Sequence, residues 1–190
     1  MRADLLTDEE KSTLLGLARA AFEMVVRGLQ PAALDLTALS PRLRTDGASF
    51  VTLTEDGSLR GCIGALEARQ PLAVDVQQHA AGVARYDYRF PPVSEGELNG
   101  IRIEISRLSD PIPLLYDSAE DLLRKLRPDV DGVILRDGQL RATYLPQVWT
   151  KLPDPAQFMN SLCGKMGAEP TLWRRRPLEV SIYQVEEFHE

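Results

Sequence analysis

The chain has 190 residues, which is enough for one domain with a substantial hydrophobic core. Hydrophobic residues make up 44% of it and charged residues 26%, as is usual for a globular protein. The formal net charge of −6 and the pI of about 5.1 argue against a protein that binds phosphate backbones without specificity.

The ends and the cysteines of the chain indicate a cytoplasmic protein. Met1 to Asp4 leads into a charged helix and shows no signal-peptide pattern. No apolar run approaches the length that spans a membrane. Cys62 and Cys163 lie in different contexts, a strand and a helix, and do not indicate a disulfide framework.

In the first half of the chain, helices flank a hairpin. Thr7 begins an amphipathic helix, because Glu10 stands at the capping-box position and apolar residues from Leu14 to Leu29 recur at helical spacing. A loop with one helical turn is expected from Pro31 to Gly47. Pro71 opens a second helix, where its missing N–H costs nothing.

The second half of the chain also contains patterns typical of strands, a hairpin and helices. Alternating apolar residues predict strands at Ile101–Ile105 and Leu178–Ile182, and Asp137-Gly138 predicts the turn of a second hairpin. Helices are expected to begin at Ser118 and Asp154. His189 is terminal and is expected to be disordered. Hairpins, antiparallel strands and a few helices predict an α+β fold with a mostly antiparallel sheet and flanking helices.

The stretch Leu-Arg-Gly-Cys-Ile-Gly at residues 59–64 follows an Asp56-Gly57 turn and is expected to form the return strand of a hairpin. Side chains alternate along a strand, so Arg60 and Cys62 share one face. A guanidinium beside a thiol favours the thiolate electrostatically. Gly61 and Gly64 remove side chains around the sulfur, and glycine in a strand often marks the close approach of a ligand or backbone. The alternative is that Cys62 is a small buried filler in a tight hairpin.

Asp87 and Arg89 are the second candidate group. In an extended segment they share a face and form an ion pair, which either pins the loop or presents the five-donor fork of Arg89 to an anionic ligand. Phe90 is expected to lie in the core, and Pro91-Pro92 stiffens the exit of the loop.

Three other features have weaker functional interpretations. His79 stands four residues from Asp75 on a helix, and pairing between them is favoured over a role as a base for Cys62. Cys163 is on an apolar helical stripe and is expected to be a packing residue. The Arg174–Arg176 run is expected to be a solvated surface feature rather than a phosphate site.

Several motifs in one order resemble the AMMECR-domain family, whose bacterial and archaeal members are called AmmeMemoRadiSam system protein A. After Leu-Arg-Gly-Cys-Ile-Gly come Asp-Tyr-Arg-Phe with a proline at residues 87–92, Glu-Leu at residues 97–98, Asp-Gly-Val at residues 131–133 and Tyr-Leu-Pro-Gln-Val-Trp at residues 144–149. The resemblance implies one domain over residues 1–190, with a larger and a smaller lobe and a cleft near Cys62. It also implies association with a Memo-like protein and a radical-SAM protein, and chemistry on a nucleotide or RNA base.

The sequence shows no other catalytic or cofactor motif. There is no Cys-x-x-Cys, His-Glu-x-x-His or calcium loop, so no metal is predicted. Phosphate-loop, dinucleotide and Gly-x-Ser-x-Gly signatures are also missing, and no cofactor is predicted.

Two hypotheses for function remain. In the first, the chain is an enzyme or enzyme component with Cys62 and Arg60 as catalytic residues, and Arg89, Asp87 and the two glycines bind a small anionic substrate or nucleotide. In the second, the chain is a non-catalytic binding module for a peptide, nucleotide or partner protein, with the arginines as anchors.

Overall fold

The computed structural model describes residues 5–190, so Met1–Asp4, where no signal peptide is predicted, lies outside the described residues. Contacts divide the chain into two compact units. Unit 1 comprises the described residues up to Leu108 together with Glu186–Glu190, and unit 2 is Ser109–Val185. No helix among residues 5–190 is both long and apolar enough to cross a membrane.

The elements confirm an α+β fold. In chain order the helices are α1 (Asp8–Val26), α2 (Pro41–Arg44), α3 (Leu72–Val83), α4 (Ala119–Lys125), α5 (Pro155–Lys165) and α6 (Leu172–Arg175). The strands are β1 (Asp46–Glu55), β2 (Ser58–Gly64), β3 (Gln70–Pro71), β4 (Ile101–Leu108), β5 (Ile112–Pro113), β6 (Gly132–Asp137), β7 (Leu140–Tyr144), β8 (Glu179–Tyr183) and β9 (Val185–His189). Short 3-10 turns occur at Leu36–Ala38, Glu95–Glu97 and Pro146–Thr150.

Unit 1 is a sheet in the order β2-β1-β4-β9, with the two-residue β3 paired to the start of β1. The pairings of β1 with β2 and β4 are antiparallel, and Cys62 lies opposite Thr52. Helix α3 packs on β1, and α1 packs on α3. Alternating residues of β1 and β4, such as Val51 and Ile103, join Phe22 of α1 in one hydrophobic core.

The helix cap and the hairpin turn predicted in unit 1 are both present. Thr7 and Glu10 form a reciprocal capping box at the start of α1. Asp56 and Gly57, with φ of 49° and 76°, make the turn between β1 and β2, where both central residues need a positive φ.

One prediction at the C-terminus is wrong. His189 was expected to be disordered, but it ends β9, which lies beside β4 in the sheet. Glu190 also reaches the sheet, because its carboxylate pairs with Arg19 and accepts the Ile103 N–H. The end of the chain is therefore part of unit 1.

Unit 2 is a second antiparallel sheet, in the order β5-β8-β6-β7, with helices α4 to α6. Its core contains both tryptophans, and the Trp149 ring stacks on Phe158 with centroids 3.7 Å apart. Gly132 admits the Tyr183 ring, which an added Cβ would meet at 2.3 Å. The predicted hairpin and the helix that begins after Asp154 are both present.

Candidate functional site

Cys62 lies in the middle of β2, and β2 is an edge strand of the sheet in the described part of the chain. The residue is half-buried. Its sulfur accepts a hydrogen bond from the Thr52 hydroxyl at 3.3 Å, across the β1–β2 pair. This hydroxyl is the only hydrogen-bond partner of the sulfur among residues 5–190, so no acid or base directly contacts the thiol there.

Asp87 connects this strand to the loop that follows α3. Its buried carboxylate accepts the Cys62 N–H at 2.8 Å and the Arg89 N–H at 3.2 Å. It also forms a two-pronged ion pair with Arg89, with Nε at 2.8 Å from Oδ1 and Nη2 at 2.6 Å from Oδ2. Two carboxylate oxygens offer about four acceptor positions, so this carboxylate has little capacity left for a ligand.

Arg89 and Asp87 together bind both backbone groups of Cys62. The Arg89 Nη2 group donates to the Cys62 carbonyl at 3.2 Å, while Asp87 holds the Cys62 N–H. The Arg89 side chain is 45% exposed, and Nη1 has no hydrogen-bond partner among residues 5–190. Arg89 can therefore offer one side of its fork to a ligand while the other side remains bound.

Arg60 binds a carboxylate and a backbone carbonyl. Its Nε group donates to Glu97 at 2.7 Å, and its Nη2 group donates to the Pro91 carbonyl at 3.1 Å. Glu97 in turn accepts the N–H and the hydroxyl of Ser94, both at 2.7 Å. The positive charge of Arg60 is therefore balanced by Glu97, which the sequence indicated only as part of the Glu-Leu motif and not as a site residue.

Phe90 lies between the two arginine systems. The guanidinium carbon of Arg60 is 5.9 Å from its ring centroid, and that of Arg89 is 5.6 Å away. Such distances suit cation–π attraction. The prediction that Phe90 belongs to the core is wrong, because the residue is half-buried and lies outside the hydrophobic cluster of unit 1.

The two ion pairs fix the charge states of the site. Hydrogen bonding from Arg89 holds the pKa of the Asp87 carboxyl well below its ordinary range, although burial opposes the shift. Hydrogen bonding from Arg60 is the largest cause that lowers the pKa of Glu97 from 4.5 to about 2. The same Asp87 bond raises the pKa of Arg89. Both carboxylates are consequently ionised at neutral pH and balance the two arginines.

The spaces beside both glycines of the motif are filled by the chain itself. A Cβ on Gly61 would meet the Val83 side chain at 2.9 Å and the Asp87 carboxylate at 3.7 Å. A Cβ on Gly64 would meet the Phe50 ring and the Ser49 carbonyl, each at 2.4 Å. The glycines thus allow close packing of protein groups on β2.

His79 pairs with Asp75, as the four-residue spacing predicts. Its Nδ1 lies 3.2 Å from the buried Asp75 carboxylate, which also accepts the Ser49 hydroxyl at 2.7 Å and the Gln70 amide at 3.3 Å. Ser49 is itself buried, and its hydroxyl donates to Asp75. The group is a buried polar network that joins α3 to β1 and β3.

The remaining sequence candidates lie in unit 2. Cys163 is buried in its core, as expected for a packing residue, and burial raises the pKa of its thiol. Arg174 lies over the Trp173 ring, Arg175 pairs with Glu169, and the third arginine of the run pairs with a β6 carboxylate. These contacts agree with a surface feature. Among residues 5–190, no group of three or more His, Cys, Asp or Glu side chains could hold a metal ion.

Sequence reasoning also missed two exposed tyrosines beside Asp87. Tyr86 is 75% exposed and Tyr88 is 95% exposed, whereas Asp87 between them is 6% exposed. The adjacent Arg85 donates to the Val25 carbonyl at 2.6 Å. The two-residue alternation gave little warning of this exposure, because residues 87–90 form a turn, with the Phe90 N–H donating to the Asp87 carbonyl, instead of the extended segment that the spacing suggested.

Comparisons with known proteins match nearly the whole chain. The AMMECR1 family model matches residues 15–188. A protein of Methanothermobacter thermautotrophicus is 37% identical over 186 residues, which is 97% of this chain and 96% of that protein. A protein of Thermofilum pendens is 34% identical over 203 residues, covering 97% of this chain and 92% of the relative.

A solved structure has the same fold. The crystal structure of the uncharacterized protein PH0010 from Pyrococcus horikoshii matches with a TM-score of 0.78 and 31% identity. The match covers 97% of this chain and 93% of that one. With the family model over most of the chain and relatives above 30% identity along their length, this chain belongs to the AMMECR1 family.

Proposed function

We propose that this chain is a binding module for a partner protein, and that Arg85–Arg89, here called the docking loop, is its contact surface. The observation that carries the proposal is the exposure of Tyr88, at 95%, on a segment whose backbone is held in place. Exposed tyrosines and arginines are the residue types enriched at the centres of protein interfaces.

The docking loop is preorganised by hydrogen bonds at both ends. The Tyr86 N–H donates to the Gly82 carbonyl at 2.8 Å, and the Phe90 N–H donates to the Asp87 carbonyl at 3.0 Å. The Asp87 carboxylate adds the bonds to β2 described above. A tyrosine that is presented on a rigid backbone loses little conformational entropy when it binds, which favours affinity.

The charges around the docking loop favour an acidic partner surface. Arg85 donates to a backbone carbonyl and has no carboxylate partner among residues 5–190. The Nη1 group of Arg89 has no hydrogen-bond partner within the described range 5–190. The chain as a whole carries a net charge of −6, but the docking loop presents positive groups. These groups attract carboxylates on the partner. We therefore expect a partner patch with an apolar centre and Asp or Glu side chains around it.

The family resemblance supplies the first partner to test. It implies association with a Memo-like protein and a radical-SAM protein, and the proposal takes the Memo-like protein from the same genome as the partner. Under this proposal Cys62 is a packing residue, since its sulfur accepts only the Thr52 hydroxyl in the described part of the chain and its neighbouring arginines are paired with carboxylates.

The test is the dissociation constant for the purified Memo-like protein, measured by calorimetry. Tyr88→Ala is expected to weaken binding about thirty-fold, the equivalent of about 2 kcal/mol for an interface hot spot. Leu115→Ala is the control, because Leu115 is 82% exposed but lies in unit 2. Equal affinity of Tyr88→Ala and the control would contradict the proposal.

A second candidate function is thiol chemistry at Cys62. It is favoured by one observation, the Thr52 hydroxyl that donates to a half-buried sulfur and so orients the thiol. The substrate would be a nucleotide or RNA base, as the resemblance implies. Cys62→Ser distinguishes the two functions, because it should preserve partner binding if Cys62 only packs, and abolish turnover if the thiol is the nucleophile.

A further inference from the structure

The outer edge of β2 is closed by side chains instead of a strand. In an antiparallel sheet, alternate residues of an edge strand direct both N–H and C=O away from the sheet. Cys62 is such a residue, because its N–H donates to Asp87 at 2.8 Å and its carbonyl accepts Arg89 at 3.2 Å. Neither group is therefore available to Thr52, which lies opposite on β1.

Asp87 and Arg89 reproduce what one residue of an added strand would supply. The carboxylate oxygen takes the place of a strand carbonyl, and the guanidinium N–H takes the place of a strand amide. The ion pair between them, at 2.6 Å, holds the acceptor and the donor together. Side chains that occupy both outward-facing groups leave no hydrogen bond for another strand at Cys62.

Apart from a register irregularity at Arg60, β2 has few other features that prevent strand pairing. Proteins commonly protect edges with lysine, proline or a very short strand. Ser58–Gly64 is seven residues long and contains neither lysine nor proline, and Leu59 is 48% exposed. Without the two side chains, the strand would have a usable edge.

We propose that Asp87 and Arg89 form an edge guard that keeps β2 from pairing with β2 of a second copy of this chain. Identical antiparallel strands pair through a two-fold axis and close as a dimer. With the axis at Cys62, Gly61 of one copy lies opposite Ile63 of the other, and the register irregularity of β2 at Arg60 falls outside this stretch. The two Cys62 residues then exchange both backbone hydrogen bonds, at a Cα separation of about 5.5 Å that also suits a disulfide.

The experiment compares guard variants with matched controls by light scattering and by cross-linking with diamide, which takes up the two electrons and two protons released by a pair of thiols. Asp87→Ala and Arg89→Gln remove the guard. Arg69→Ala is the control, since Arg69 and Glu67 form an exposed ion pair with the same two-residue spacing. Cys163 is buried and should remain unreacted.

The guard variants are expected to show a higher mass than the wild type at equal concentration, and at least tenfold more Cys62-linked dimer. Adding Cys62→Ser should abolish the cross-link but keep the higher mass. Arg89→Gln keeps the Asp87 carboxylate, so this variant tests the edge guard if Asp87→Ala does not fold. A folded guard variant with wild-type mass and wild-type cross-linking would overturn the inference. Tyr88→Ala should leave both readouts unchanged, which separates the edge guard from the docking function.

Discussion

Asp87→Ala tests how much free energy one carboxylate contributes to unit 1. The substitution removes a charged acceptor from the Cys62 N–H, which costs about 1.5 kcal/mol. It also removes the turn bond to the Arg89 N–H, for about 0.5 to 1 kcal/mol. Loss of the ion pair adds about 1 kcal/mol only, because the Arg89 side chain is 45% exposed and water solvates it. The free energy of unfolding should fall by about 3 kcal/mol, or about 6 to 12 °C in melting temperature for a chain of this size.

Urea unfolding followed by circular dichroism measures this change. Both tryptophans lie in unit 2, so their fluorescence gives a separate reading of Ser109–Val185. Arg69→Ala, which breaks the exposed pair with Glu67, should lower the free energy of unfolding by no more than about 0.5 kcal/mol. If Asp87→Ala and Arg69→Ala have the same unfolding midpoint, Asp87 does not hold the loop on β2 and the reasoning is refuted.

Three further predictions concern stability. A carboxyl whose folded-state pKa is lowered stabilises the protein above its unfolded-state pKa, so Glu97 should stabilise unit 1 at neutral pH and lose this effect as the pH falls from 4.5 to about 2. The difference in unfolding free energy between wild type and Glu97→Gln should therefore shrink over that range in an acid titration, and a constant difference would contradict the assignment. Gly64→Ala should cost about 2 to 4 kcal/mol, because its Cβ meets the Phe50 ring and a carbonyl at 2.4 Å. Gly61→Ala should lower the free energy of unfolding by less, because the added Cβ meets the Val83 side chain, at 2.9 Å. Adding Val83→Ala should therefore partly restore the melting temperature of Gly61→Ala. If it does not, the added methyl group does not clash with Val83.

Local signals predicted much of the fold. The capping box at Thr7, the Asp56-Gly57 turn and the Asp154 cap each depend on residues within three or four positions, and all are present. Strand β9 was missed because Val185–His189 does not alternate clearly between apolar and polar residues. Its place is set by β4, far away in sequence.

In the candidate site, too, the sequence predicts contacts between residues that are close along the chain but not between distant ones. The Asp87–Arg89 ion pair follows from a two-residue spacing and was predicted. The pairing of Arg60 with Glu97 joins residues 37 positions apart, and the bond from Cys62 to Asp87 spans 25. A sequence pattern gives the residue types in these contacts but not the partners, because chain folding decides which groups meet.

Hydroxyl-radical footprinting tests directly whether the docking loop contacts a partner. Tyr86 and Tyr88 should be oxidised readily in the free protein, because they are 75% and 95% exposed. With the Memo-like protein added, oxidation of Tyr88 should fall towards the level of Tyr183, which is buried, while Leu115 should keep its rate. A complex in which Tyr88 is oxidised as fast as in the free protein would contradict the account.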